Sequence, residues 1–345
     1  MGTIRFENVS KEFPGMGHPA VDNCSLEVTE GDFVVILGPS GCGKTTLMKM
    51  VNRLYDPSAG TIYLDGQDVQ QISATKLRRQ IGYVIQQIGL FPHMTVAKNV
   101  SVVPHLLHWE QEKIDRRVDE LLDLVDLPPA EYRDRYPAQL SGGQQQRVGV
   151  ARALAGDPDV ILMDEPFGAV DAITRESLQD ELLDLQRQLH KTILFVTHDV
   201  DEALRLADQI VIMQRGQIVQ YAPPLEILSR PANGFVNQLV GGDDMVRQLS
   251  LVRVEKVMQP LPPDFRNNGQ PTIESQHTLR MALSRLLRSD VEELVVVENG
   301  TRTGLLSLQD IQTHDQLETN GQREVNGRGA LHEKHEKNAT NGRSP

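Results

Sequence analysis

Nine consecutive residues, Gly38-Pro39-Ser40-Gly41-Cys42-Gly43-Lys44-Thr45-Thr46, have the types and spacing to hold a polyphosphate. They fit G-x-x-x-x-G-K-[ST], a phosphate-binding loop. Gly38, Gly41 and Gly43 allow the backbone to curl so that several N–H groups point inward. A helix starting at the loop adds unpaired N-terminal donors and roughly half a positive charge. Lys44 supplies a full charge for β- and γ-phosphates, Thr45 a hydroxyl for Mg²⁺, and Thr46 a donor for an α-phosphate. A pair of acids follows at Asp164-Glu165. Asp164 would hold Mg²⁺, directly or through water. Glu165, one residue on, would polarise an attacking water as general base.

The elements that must position these groups are written around them. Residues 32–37 form a short apolar, β-branched run that reads as a buried parallel strand. Leu47, Met50, Val51 and Leu54 recur at helical spacing through 45–54, so the loop lies between strand and helix, as the motif requires. Residues 81–85, 159–164 and 192–197 read as further buried strands, with helices over 175–189 and 200–207. Residues 3–9, 21–28 and 60–67, the last entering an Asp65-Gly66 turn, suggest an antiparallel layer flanking the nucleotide. Ile114, Val118, Leu121, Leu122 and Val125 keep helical period within 95–155, a helical insert broken at Pro128-Pro129 and Pro137. Residues 209–213 and 217–221 read as a closing hairpin. Past Pro231 the pattern changes to one amphipathic helix (279–287) and two strands (294–300, 303–308). From Gln316 the chain is polar and is expected to be disordered.

Composition sets outer bounds. A chain of 345 residues suits one large domain and a smaller one. The net charge of −12, spread along the chain, argues against a nucleic-acid surface. Cys24 and Cys42 make no metal or redox spacing, and a reducing compartment is expected. No signal peptide is read at the N-terminus and no apolar run approaches a membrane span, so any membrane role requires a partner that holds the chain there. Cys42, beside a helix N-terminus and Lys44, is expected to favour thiolate.

Leu140-Ser141-Gly142-Gly143-Gln144, followed by Gln145-Gln146-Arg147, resembles the signature sequence of the ATP-binding cassette (ABC) ATPases. The resemblance runs from residue 4 to about 228 and implies an α/β P-loop NTPase core with an antiparallel β flank and a helical subdomain. It implies ATP and Mg²⁺ as cofactors, with the loop 38–46 as the nucleotide cradle. Ser141, Gly142, Gly143 and Gln144 would then serve the nucleotide bound by a second cassette, so that two ATP molecules lie in a dimer interface and one copy per chain implies a homodimer. Gln86 resembles the Q-loop glutamine that reaches toward Mg²⁺ and the attacking water. Asp171 resembles the D-loop aspartate, with Val170 where many relatives have Leu. His198 resembles the switch histidine that contacts the γ-phosphate. Phe13 resembles the aromatic that stacks on adenine, a contact worth roughly 1–3 kcal/mol.

Residues 84–96, 136–140, 144–152, 197–204 and 241–251 are similar to the subfamily that imports quaternary amines: glycine betaine, choline, carnitine and proline betaine. That resemblance implies the ATP-hydrolysing subunit of a bacterial importer, peripheral on the cytoplasmic face of the inner membrane. Its partners would be integral membrane permease subunits and an extracytoplasmic substrate-binding protein, with no nucleic acid. An importer ATPase for another small solute, such as an amino acid, and a soluble non-transport cassette ATPase are the alternatives. The apolar Leu90-Phe91-Pro92 within 89–94 is expected to be exposed and to receive a permease helix. Residues 279–311 resemble the helix–strand–strand end of a cystathionine-β-synthase (CBS) motif. The expected organisation is a cassette over 1–240 with its helical subdomain at about 90–158, a linker over 241–256, a small α+β, partial CBS-like module over 257–315, and the tail 316–345.

Overall fold

The computed structural model describes residues 2–86, 89–168, 170–242, 244–262, 265, 270–289 and 291–311. Gln87 and Ile88, Ala169, Asp243 and the tail expected over 316–345 lie outside the described residues. The chain divides into two compact units, 1–224 and 225–345.

The first unit opens with β1 (Ile4–Lys11) and β2 (Val21–Val28), followed by β3 (Phe33–Leu37) and α1 (Lys44–Val51). Next come β4 (Ala59–Leu64), β5 (Gln67–Asp68), α2 (Ala74–Gln80) and β6 (Ile81–Val84). The helical insert holds α3 (Val96–Leu106), α4 (Gln111–Leu124), α5 (Pro129–Tyr132) and α6 (Gly142–Leu154). The chain then returns through β7 (Val160–Asp164), α7 (Ala172–Leu189), β8 (Thr192–Thr197), α8 (Val200–Leu206), β9 (Gln209–Gln214) and β10 (Gln217–Ala222).

A six-stranded sheet of order β10-β9-β3-β8-β7-β6 forms the centre. From β6 to β9 its pairings are parallel, and β10 closes one edge antiparallel. Every residue of β3, β7 and β8 is buried, because parallel strands covered on both faces need apolar side chains at odd and even positions alike. A separate antiparallel sheet, β2-β1-β4-β5, alternates instead. Its inward residues Ile4, Phe6, Val28 and Ile62 join Leu47, Met48 and Met50 of α1 and Val34 and Ile36 of β3 in one apolar cluster. Thus α1, and the loop leading into it, are clamped by apolar packing to both sheets.

Two hairpins of this unit turn through Asp65-Gly66 (φ +51° and +75°) and Arg215-Gly216 (φ +49° and +84°). Left-handed backbone at both central residues matches the right-handed twist of the flanking strands.

The second unit contains α9 (Pro224–Ser229), α10 (Gly234–Val240), α11 (Met245–Leu251), β11 (Gln259–Pro260) and β12 (Thr272–Glu274). It ends with α12 (Leu279–Ser289), β13 (Glu293–Glu298) and β14 (Thr301–Ser307). Its sheet has the order β11-β14-β13-β12, with β12 and β13 parallel. Leu249, Val254, Ile273, Leu279, Ala282, Leu286, Leu294, Val296 and Leu306 form its core. Leu225 packs against that cluster, so the division falls after Pro224, and the expected boundary near 240 lies inside the second unit. Strands β11 and β12 were not anticipated from the sequence.

Candidate functional site

The loop after β3 is shaped by its glycines. Gly38 (φ +157°) passes so close to β9 that a Cβ there would stand 2.3 Å from the Met213 carbonyl oxygen. Gly43 caps α1 at φ +111°, where a Cβ would stand 2.4 Å from the Ala20 carbonyl oxygen. No side chain caps α1, which leaves its first N–H groups to the loop. Lys44 is only 5% exposed. Its ammonium donates to the carbonyl oxygens of Gly38 (2.8 Å) and Pro39 (3.1 Å), which satisfies the buried charge and holds the loop closed around it. Pro39, Ser40 and Gly41 are exposed, and Thr45 and Thr46 half-buried.

The C-terminal ends of the parallel strands bring the acids to the same place. The Thr45 hydroxyl donates to Oδ1 of Asp164 at 2.9 Å, joining the first turn of α1 to the end of β7. Burial pushes the Asp164 carboxyl up, with Glu165 adding to that, against the hydrogen bond from Thr45 and the charges of Lys49 and Lys44. Burial outweighs the opposing groups, so the carboxyl stands above its ordinary value. Glu165 has left-handed backbone, φ +43°, and its N–H is held by the Val196 carbonyl at 2.9 Å. Its carboxylate accepts from Nε2 of Gln86 (3.0 Å) and lies 3.2 Å from Nδ1 of His198. Gln86 and His198 are both exposed, one beyond β6 and the other beyond β8. Five side chains from four chain segments thus converge at one sheet edge.

The donor set there is hard oxygen: the Thr45 hydroxyl, the Asp164 carboxylate and the Gln86 amide. Among the described residues no group of three or more His, Cys, Asp or Glu could hold a metal on protein ligands alone. One carboxylate and a hydroxyl suit Mg²⁺, which binds through one or two such groups together with substrate phosphates.

A family profile described as ABC transporter matches residues 21–168, from β2 past the carboxylate pair. The glycine betaine/carnitine/choline transport ATP-binding protein OpuCA of Bacillus subtilis is 52% identical over 296 residues, covering 86% of this chain and 75% of that protein. The chain belongs to the ABC transporter family. The glycine betaine uptake system ATP-binding protein YehX of Escherichia coli is 48% identical over 310 residues, 89% of this chain and 98% of that one. A solved dimeric ATP-binding cassette, in a post-hydrolysis state with ADP and Pi, is 34% identical with a TM-score of 0.58, covering 64% of this chain and 98% of its own. As a member of this family the chain is a nucleotide-binding ATPase of a transport system.

Other residues singled out in the sequence sit apart from the carboxylate cluster. Ser141 caps α6, accepting from Gln144 N–H at 3.3 Å while Gln144 Oε1 accepts from Ser141 N–H at 2.9 Å, a reciprocal capping box. Ser141 and Gly142 are exposed and Gly143 is buried. Asp171 caps α7, accepting from Thr174 N–H at 3.1 Å. Phe13 is half-buried, edge-to-face with Tyr55 at 5.2 Å, and the Lys11 ammonium lies 5.1 Å from its ring centre. Cys42 departs from expectation. It is 4% exposed, and burial pushes its thiol up more than Lys44 and the backbone pull it down.

Within 89–94, Phe91, Pro92 and His93 are exposed and Leu90 is half-buried. The loop is pinned by Asn99, a fully buried residue that sequence reasoning passed over. Its Oδ1 accepts from Phe91 N–H (2.8 Å), and Nδ2 reaches the carbonyls of Phe91 (3.1 Å), Met94 (3.1 Å) and Thr95 (3.0 Å). Glu202 was also missed; it is 6% exposed beneath the His198 turn and accepts from the Thr197 hydroxyl at 2.6 Å. Both are polar residues inside helical patterns, and a polar residue on a helix face that is otherwise apolar is the one signal that marks them.

Proposed function

We propose that this chain is the ATP-hydrolysing subunit of an importer for quaternary amines such as glycine betaine, choline and carnitine. The reading is supported by the convergence of Thr45, Asp164, Glu165, Gln86 and His198 in a chain about half identical to the Bacillus subtilis protein named for those solutes.

Residues 38–46 cradle the phosphates, with Lys44 exchanging its carbonyl partners for β- and γ-oxygens. Thr45, Asp164 and Gln86 would hold Mg²⁺, which supplies charge neutralisation on the phosphates. Glu165 accepts a proton from the attacking water, oriented by its contacts to Gln86 and His198. Such a base contributes typically about 10²–10⁴-fold. His198 donates to the γ-phosphate, and Phe13 offers its ring to adenine.

Ser141, Gly142, Gly143 and Gln144 at the start of α6, with Asp171 at the start of α7, face the nucleotide of a second copy, so the working form is a homodimer. The apolar Phe91-Pro92 loop receives a permease helix at the cytoplasmic face of the membrane, and an extracytoplasmic binding protein selects the solute. Residues 257–315 are a partial CBS-like regulatory module that follows the cassette and its linker.

The test is reconstitution of the full chain with its permease subunits in liposomes carrying MgATP, with the binding protein outside. Glycine betaine, choline and carnitine should accumulate and stimulate hydrolysis. Accumulation of amino acids but not quaternary amines would overturn the cargo, and absence of ATP-dependent uptake would overturn the importer reading.

A further inference from the structure

One guanidinium lies between the segment that carries Asp171 and the turn that carries His198. Arg175, in the first turn of α7, donates from Nη2 to the Val170 carbonyl at 3.2 Å, one residue before Asp171. Its Nη1 is 3.5 Å from Oδ2 of Asp199, the residue after His198. Its Nε is 3.9 Å from Oε1 of Glu202, whose side chain is 7% exposed.

Those carboxylates are themselves fixed to the histidine turn. Asp199 caps α8, accepting from the N–H groups of Asp201 (2.9 Å) and Glu202 (3.2 Å). Glu202 accepts from the Thr197 hydroxyl at 2.6 Å and is approached by the Gln179 amide at 3.4 Å. The same hydroxyl accepts from Asp199 N–H at 3.0 Å. Both neighbours of His198 in the chain are therefore members of one network, and Arg175 carries that network to the backbone just before Asp171.

We propose that Arg175 is a positioning residue that locks the Asp171 segment, which faces the second copy, to the His198 turn at this copy's own γ-phosphate, so that the two move as one body. The proposal rests on the reading of His198 given above and adds the group that sets its place. Arginine is suited to the task because one N–H of its rigid planar fork donates to a carbonyl while the rest of the cation stands at ion-pair distance from two carboxylates. Lysine would bring one point charge and lose the fixed angle between the two segments. Without the cation, two neighbouring carboxylates repel and the histidine turn relaxes. A displacement of about 1 Å at a reacting group costs on the order of 10²-fold in rate.

The experiment is ATP hydrolysis by the full chain, comparing wild type, Arg175→Met, Arg175→Lys, His198→Ala and the Arg175→Met/His198→Ala double variant. Arg175→Met should lower kcat by roughly 10- to 100-fold with KM for ATP within about two-fold, and Arg175→Lys should recover part of the loss. In the His198→Ala background, Arg175→Met should cost less than about two-fold more, because both act on one step. Effects that multiply, or a wild-type kcat in Arg175→Met while His198→Ala is slow, overturn the proposal alone. A wild-type rate in His198→Ala overturns the reading on which it rests. Thermal melting checks each variant; should Arg175→Met not fold, the Arg175→Lys series supplies the same cycle, and a fall in melting temperature without a fall in kcat means a structural role only.

Discussion

Asn99→Ala tests how the exposed Phe91 loop is held. The side chain is fully buried and bonds only backbone. Its Oδ1 accepts one bond, and its two amide hydrogens serve at most two of the three carbonyls in full at any moment. Three hydrogen bonds at about 0.5–1.5 kcal/mol each give roughly 1.5–4.5 kcal/mol. Water reaches an exposed loop and satisfies part of what is lost, and alanine is the better helix former, so about 2 kcal/mol is expected. That corresponds to roughly a 30-fold rise in loop opening, since 1.4 kcal/mol is a factor of ten. Amide hydrogen exchange reads it directly. Protection at Phe91, whose N–H bonds Asn99, and at Met94, whose N–H bonds the Phe91 carbonyl, should fall about 30-fold. Amides of β3 and β8 should be unmoved. Hydrolysis by the chain alone should persist while permease-stimulated hydrolysis falls. Unchanged exchange at Phe91 would refute the account of the loop.

Glu165→Gln should lower kcat by about 10²–10⁴-fold with nucleotide affinity kept, and should accumulate as an ATP-bound dimer in gel filtration; hydrolysis at the wild-type rate contradicts the base assignment. Gly43→Ala drives a Cβ toward the Ala20 carbonyl, whereas Gly41→Ala (φ +78°) meets nothing within 4 Å. Nucleotide binding should therefore be lost in the first and only weakened in the second, and equal titration curves would count against the steric argument. Burial raises the Glu202 carboxyl from its ordinary value of 4.5. The folded state thus holds a proton that the unfolded state releases, and this contribution is present at low pH and lost as pH climbs through the raised value. Melting temperatures of Glu202→Gln relative to wild type should accordingly improve as pH rises above the ordinary value of 4.5, and a constant gap denies the shift. Cys42 should alkylate more slowly than a free thiol at pH 8 and normally once unfolded; rapid native modification would show that burial is not in control.

The core of this fold is legible because parallel strands buried on both faces must be apolar throughout. Residues 159–164 and 192–197 can be read as strands without knowing what covers them, and a glycine-rich turn between strand and helix names its own ligand. The C-terminal ends of β6, β7 and β8 carry Gln86, Asp164, Glu165 and His198, so the cluster follows once the strand order is known. The reciprocal bonds of Ser141 and Gln144 were also written as S-x-x-Q ahead of a helix. Less is legible where the partner is distant or the element tiny. Strands β11 and β12 span two and three residues, too few for a period. Thr197 and Glu202 bond across a strand–helix junction that no fixed spacing reports. Asn99 acts on backbone atoms, which carry no side-chain code, and Arg175 on one carbonyl and two carboxylates distant from it in sequence. For Cys42, the helix terminus and Lys44 were visible in sequence, but the burial that outweighs them was not.

The backbone of Glu165 has one more consequence, for how this protein responds to selection. A non-glycine residue in the left-handed region costs on the order of 1–2 kcal/mol, and here that cost falls on the residue proposed as base. Asparagine tolerates the conformation, so Glu165→Asn should relieve strain while shortening the carboxylate away. A library ranked by melting temperature would promote such variants, and the same library ranked by phosphate release would discard them. Position 165 is therefore one at which heat-driven improvement of the protein and retention of its turnover move in opposite directions.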